Sequence, residues 1–154
     1  MISRRAVVCV GAFAVAQGAL HAGLGSKDAK YIGGTLQIPE EAEGKFDVSG
    51  ETAARFTWKK GAVDIPYDKV TSLEYGQKAG RRVGVALVVS PIALFSKKRR
   101  HFLSVGFKDQ QGKDQAAVIE LGKEITRTTL KTLETRTGKK IEYESEDAKK
   151  NIGG

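Results

Sequence analysis

FLSVGFKDQQGKDQAAVIEL, residues 102–121, is the stretch that decides the fold. Leu103, Val105 and Phe107 alternate with Phe102, Ser104 and Gly106, the period of two that a strand requires. Asp109-Gln110-Gln111-Gly112 then reads as a hairpin loop, with Gly112 where a positive φ is needed. The return strand sets Ala117, Ile119 and Leu121 on one face. Two antiparallel strands joined this closely predict a domain built mainly of β-structure.

Immediately after the hairpin, the period changes. Leu121, Ile125, Thr129 and Leu133 recur every four residues, with Leu130 one step round, so the spacing predicts a helix over Lys123–Thr137. Glu124 near its start and Arg136, Lys139 and Lys140 near its end suit the helix dipole, and Gly138 suits the position just past the last turn. Three threonines lower its intrinsic propensity, so packing has to hold it. Ile141 to Glu144 predicts a last short strand. The polar tail beyond it, residues 144–154, is expected to be disordered.

Working back from the hairpin, shorter alternations appear. Leu36 and Ile38, Phe46 and Val48, Phe56 and Trp58, Val63 and Ile65, and Val70, Leu73 and Tyr75 each mark a strand. Pro39, Lys59-Lys60-Gly61 and Pro66 punctuate them. About seven short antiparallel strands and one C-terminal helix predict an α+β, mainly β domain, a small barrel or sandwich.

The N-terminus reads as a signal peptide over residues 1–22. Arg4 and Arg5 precede an apolar, Ala-rich stretch from Ala6 to Leu20, and small residues follow at Gly18, Ala19 and Ala22. An uncleaved anchor is the alternative, although a spanning helix needs about 20 apolar residues. Residues 23–33 read as a linker, and the exported domain runs over 34–143. Export implies a periplasmic or cell-envelope location. The chain's net charge is +8; the leader holds two arginines and no acid, so the mature part carries +6. The single cysteine, Cys9, lies in the leader, so no disulfide is available to the domain and its core alone must hold it.

The segment from Gly61 to Glu74, GAVDIPYDKVTSLE, resembles a passage of bacterial pleckstrin-homology-like (PH-like) and GRAM-like domains. There a polar turn and an apolar piece lead to Pro-Tyr and then Ile/Val-x-x-Leu/Val-Glu. The order of short strands, sharp hairpin and terminal helix is similar to the same family. The resemblance spans residues 34–143 and is closest at 61–75 and 101–138. It implies a binding or scaffolding module for lipid headgroups, peptides or partner proteins, without catalysis. Lipid-binding members often use cations in a loop between early strands. Here the cations lie elsewhere, so no family lipid site carries over. The departure from the pattern is an apolar insertion at 83–95.

That insertion, VGVALVVSPIALF, is a 13-residue run with Arg81 and Arg82 on one side and Lys97, Lys98, Arg99 and Arg100 on the other. Apolar surface inside a cationic rim is what a contact with an anionic membrane surface needs. As a helix it would reach only about 20 Å, short of the roughly 30 Å hydrocarbon layer, and Pro91 would kink it. Shallow contact through Val85, Leu87, Val88, Val89, Ile92, Leu94 and Phe95 is the expectation, with the six cations on lipid phosphates. Each large apolar side chain contributes roughly 1.5–3 kcal/mol if wholly buried, and less at an interface. Each cation near an anionic surface contributes about 1 kcal/mol. The alternative is that the run packs in the core, or meets an envelope protein.

Other chemistry has little support. His101 is the only histidine past the leader, and four cations precede it, a poor setting for a general base. No Cys/His cluster suggests a metal, and no cofactor motif occurs. Gly80 is followed by Arg-Arg, where a phosphate loop needs Gly-Lys-Ser/Thr. Nucleic acid is not an expected partner: Trp58 and Phe102 alternate as core residues do, and a basic patch alone leaves the apolar run unexplained. The reading is a non-enzymatic binding module; the sequence leaves its oligomeric state undetermined.

Overall fold

The structure is a computed structural model, and it describes residues 29–77 and 100–153. Strands β1 (Ala29–Gly34), β2 (Ala42–Asp47), β3 (Ala53–Trp58) and β4 (Gly61–Pro66) come first, then a single 3-10 turn at Tyr67–Lys69 and β5 (Val70–Gly76). After residues 78–99 come β6 (His101–Lys108), β7 (Asp114–Leu121), helix α1 (Lys123–Thr137), β8 (Ile141–Tyr143) and helix α2 (Glu146–Gly153).

The eight strands form one sheet in the order β4-β3-β2-β1-β7-β6-β5-β8. Two meanders, β1 to β4 and β5 to β7, are joined where β1 pairs antiparallel with β7, Ala29 opposite Leu121 and Tyr31 opposite Ile119. The sheet is open, with β4 and β8 at its edges. Among the described residues two expectations are thereby corrected: the sheet is not closed into a barrel, and it has eight strands where about seven were expected. One pair is also parallel, β5 with β8. The reason is the helix: α1 carries the chain back along the sheet, so the strand after it runs the same way as β7 and β5.

The hairpin sits where the sequence puts it. Lys108 faces Asp114 across β6 and β7, and Gly112 has φ 77° with its N–H donating to the Asp109 carbonyl at 3.0 Å. Asp109 holds the loop from inside. Its Oδ1 accepts the N–H of Gln111 at 2.8 Å and of Lys113 at 2.9 Å, and its Oδ2 accepts Gln115 Nε2 at 2.9 Å. The bond from the Lys113 backbone is the main reason its carboxyl lies below the usual range.

Inward residues of all eight strands meet in one core. Tyr31, Phe46, Phe56, Ile65, Leu73, Leu103, Ile119 and Ile141 belong to it, with Ile125, Leu130 and Leu133 of α1 packed against them. Along one side Phe56 stacks on Trp58 at a centroid distance of 6.1 Å and meets Tyr31 in a tilted contact at 6.2 Å. Tyr67 closes another side, its hydroxyl donating to the Val48 carbonyl at 2.9 Å.

The ends of the domain depart from expectation. The stretch where Leu36 and Ile38 mark a strand is a bend, and the first strand starts instead at Ala29, inside the stretch expected to be a linker. Its alternation, Ala29 and Tyr31 inward, is short and broken by a bulge at Ile32, which hides the period. The tail expected to be disordered forms α2. Ser145 Oγ accepts the Ala148 N–H at 3.1 Å, Ala148 is buried in the core, and Ile152 packs beside it. A helix this short is marginal in isolation, so tertiary packing holds it.

Candidate functional site

The cation-flanked insertion leaves β5 and returns into β6. These strands pair antiparallel with Gly76 opposite Phe102 and Tyr75 opposite Leu103. The two ends of the segment 78–99 therefore start side by side at one end of the sheet. Ala29 opposite Leu121, and His101 opposite the same Leu121, place the start of β1 at this end too.

The residues at this end are polar and mostly paired. Arg100 Nη1 donates to Glu120 Oε2 at 2.9 Å, with both side chains about three-quarters buried. Lys30 lies 3.7 Å from Glu43. Glu144 Oε2 accepts the Gln77 N–H at 3.0 Å, and Glu74 stands opposite Glu142 across β5 and β8. A cleft of about 360 Å³ opens among Lys30, Glu43, Glu120 and Gly122.

His101 faces inward and meets the Tyr75 hydroxyl through Nδ1. Burial lowers its pKa, Lys123 lowers it further, and Glu120 opposes both. Burial also pushes the Tyr75 hydroxyl up to about 12, so the phenol keeps its proton; the tautomer of His101 sets which of the two groups donates. This pair sits within the protein wall, stacked at 6.0 Å. Its arrangement is that of a structural hydrogen bond. Among the described residues, no group of three or more His, Cys, Asp or Glu could hold a metal ion.

Of the residues assigned to membrane contact, only Arg100 falls within the described part of the chain. Arg81, Arg82, Val85, Leu87, Val88, Val89, Ile92, Leu94, Phe95, Lys97, Lys98 and Arg99 lie outside it. Arg100 is engaged with Glu120, a partner that sequence reading did not supply. Among the described residues no helix is long and apolar enough to cross a membrane.

No family model and no curated protein matches the chain.

A second surface of this region has no counterpart in the sequence reading. Leu103, Val105, Ala117 and Ile119 face the core, so Phe102, Ser104, Gly106, Ala116 and Val118 line the opposite face of β6 and β7. That face is apolar and buried: Phe102 is 2% exposed and Val118 0%, as is Ile32 at the β1 bulge. None of these three belongs to the core cluster. The missed signal is the lack of polar residues between the inward positions, as in Ala116-Ala117-Val118-Ile119; strands buried on both faces read as near-continuous apolar runs.

A groove of about 630 Å³ lies at the opposite end, lined by Leu36, Val63, Pro66, Lys69, Phe107 and Lys113 among others. Its charges are largely spent on each other. Lys108 pairs with Asp114 at 2.7 Å, and Arg55 grips Asp64 through two bonds of 2.6 and 2.7 Å.

Proposed function

We propose that the protein is a non-catalytic, PH-like binding module exported to the bacterial cell envelope, where it adheres to anionic membrane through the cation-flanked segment around residues 83–95. The observation that carries this reading is the β5–β6 register. With Gly76 opposite Phe102, the flanks bearing Arg81, Arg82, Lys97, Lys98, Arg99 and Arg100 leave and re-enter at a common point. Five cations on flanks anchored at one sheet end, beside an Arg100 that Glu120 holds, focus potential toward a phosphate-rich surface better than the same charges spread over a domain. The order of meander, hairpin and helix α1 is what supports the likeness to PH-like domains. In this reading adhesion rests on the cations. Insertion of Val85 to Phe95 adds to it only if those side chains have no place within the protein.

Vesicle flotation tests the proposal. The full chain is expected to float with anionic vesicles, to float less at high salt, and to stay behind with neutral ones. Equal binding to both, or no change when all six cations become Gln, overturns it.

The other reading is a protein-interaction or structural module whose apolar segment is packed internally. The buried face carrying Phe102 and Val118 favours it. Replacing Leu87 and Leu94 by Ser separates the two. Lost stability in vesicle-free buffer is expected under internal packing; lost vesicle binding with the fold intact is expected under insertion.

A further inference from the structure

Strand β4 has a free edge, and the parity of its hydrogen bonds fixes what that edge offers. β3 and β4 pair in register from Trp58 opposite Gly61 to Ala53 opposite Pro66. The Tyr67 N–H continues the series by donating to the Thr52 carbonyl at 2.9 Å. Bonded and non-bonded positions alternate in an antiparallel pair, so Gly61, Val63 and Ile65 bond to β3. Ala62, Asp64 and Pro66 turn their backbone groups the other way. Pro66 has no N–H to leave unpaired there, which suits a proline on an edge strand. Among the described residues no strand lies beyond β4, and the outward groups of Ala62 and Asp64 make no hydrogen bond. Exposed edges are commonly guarded by charge. The one charged side chain of β4, Asp64, is instead drawn toward β3 by two bonds from Arg55. The other edge strand, β8, has only three residues and leads directly into α2.

The groove of about 630 Å³ opens beside this edge, with Val63, Asp64 and Pro66 on one side and Leu36, Phe107 and the β6–β7 hairpin on the other. We infer that it takes an extended segment of a partner protein, which adds a strand to β4. The backbone pattern selects that occupant. Outward donors and acceptors recur every second residue, about 6.8 Å apart, a repeat that another extended backbone reproduces and a compact small molecule does not. From Ala62 to Pro66 the edge runs about 14 Å, enough to pair with about five partner residues. Alternate side chains of that segment would enter the groove against Leu36, Val63 and Phe107, so they are apolar. Its acids are engaged: Arg55 holds Asp64, Lys108 holds Asp114, and Asp109 accepts amide bonds. Lys69, also in the lining, has no ion pair among the described residues. The segment that fits therefore carries an acidic residue beside its apolar ones.

A second copy of the chain fits this site less well. Pairing β4 with itself about a two-fold axis makes an isologous interface, in which each copy presents the same concave surface. One groove does not fill another, whereas a single extended segment does. The inference goes beyond the proposed adhesion. It concerns the other end of the sheet and uses none of the residues assigned to the membrane, so either can fail alone.

A library of random heptapeptides displayed on phage and selected on the full chain tests the inference. Selected peptides are expected to be apolar at alternate positions, to carry an acidic residue, and to bind one per chain. Binding is expected to protect the Ala62 and Asp64 amides from hydrogen exchange. Methylating the peptide nitrogens that face β4 removes donors without touching the protein, and is expected to weaken binding about tenfold per methyl. Methylating the other alternate set is expected to be tolerated. Ala62→Pro removes an outward N–H that the sheet does not use, so the fold is expected to persist while affinity falls. Should that variant unfold, the methylated peptides still decide. Lys69→Gln is expected to weaken acidic peptides and spare their Gln counterparts. No binder, binders indifferent to which nitrogens are methylated, or protection that maps away from β4 overturns the inference. A peptide-free dimer that protects Ala62 overturns it as well, by assigning the edge to a second copy.

Discussion

His101 shows how one position changes meaning once its neighbours are known. In the sequence it follows four cations, which already argue against a protonated imidazole. In the fold the larger cause is burial beside Tyr75, with Lys123 adding to it. Because the folded pKa is lowered, the unfolded chain binds more protons in the window between the folded value and the ordinary value of 6.5. Stability then rises with pH through that window, is fully present above it, and is lost as pH falls through it. The urea midpoint of the wild type is expected to drop between pH 7.5 and 5.5 by more than that of His101→Gln, which keeps a side chain able to accept from Tyr75. Equal drops would show that the histidine is not the titrating group.

Among the elements, α1 is the most legible in sequence and the one whose end is most sharply set. Its period of four, its acidic first turn and Gly138 all lie in consecutive residues, and the helix has the bounds that they predict. Gly138 takes φ 68° and donates its N–H to the Glu134 carbonyl at 3.0 Å. An added Cβ there would meet open space, so the cost of Gly138→Ala is that of the left-handed backbone alone, about 1 kcal/mol. A urea titration checks it; no loss would mean that the terminus rearranges without penalty. The hairpin was equally legible, since turn chemistry and alternation are both local. The short outer elements were not. β1 is interrupted by its bulge, and α2 offers only Ala148 and Ile152 as apolar anchors, too few to mark a period.

At the scale of the whole molecule, stability comes from one core with no disulfide to support it, and that core draws on every strand. Phe56 is the test residue, 1% exposed and packed between Tyr31 and Trp58. Phe56→Ala is expected to cost about 3–5 kcal/mol, a large share of the total for a domain of this size, and to lower the thermal midpoint steeply. A loss below about 1 kcal/mol would mean that the core is not the single unit described. The candidate site was legible only in its charge. Arg81, Arg82 and Lys97 to Arg100 stand out in the chain. Their common anchorage at one sheet end depends on β5 pairing with β6 across the segment that separates them.

Local order fixed the strand-rich character, the hairpin, the helix and the concentration of charge beside an apolar run, because periodicity and turn chemistry act between residues a few places apart. The open eight-stranded order, β1 lodged between β2 and β7, the parallel β8 and the burial of both faces of β6 and β7 were decided only in three dimensions. Each depends on pairing between residues far apart in the chain, and alternation along a strand carries no record of which strand lies beside it or of what covers its second face.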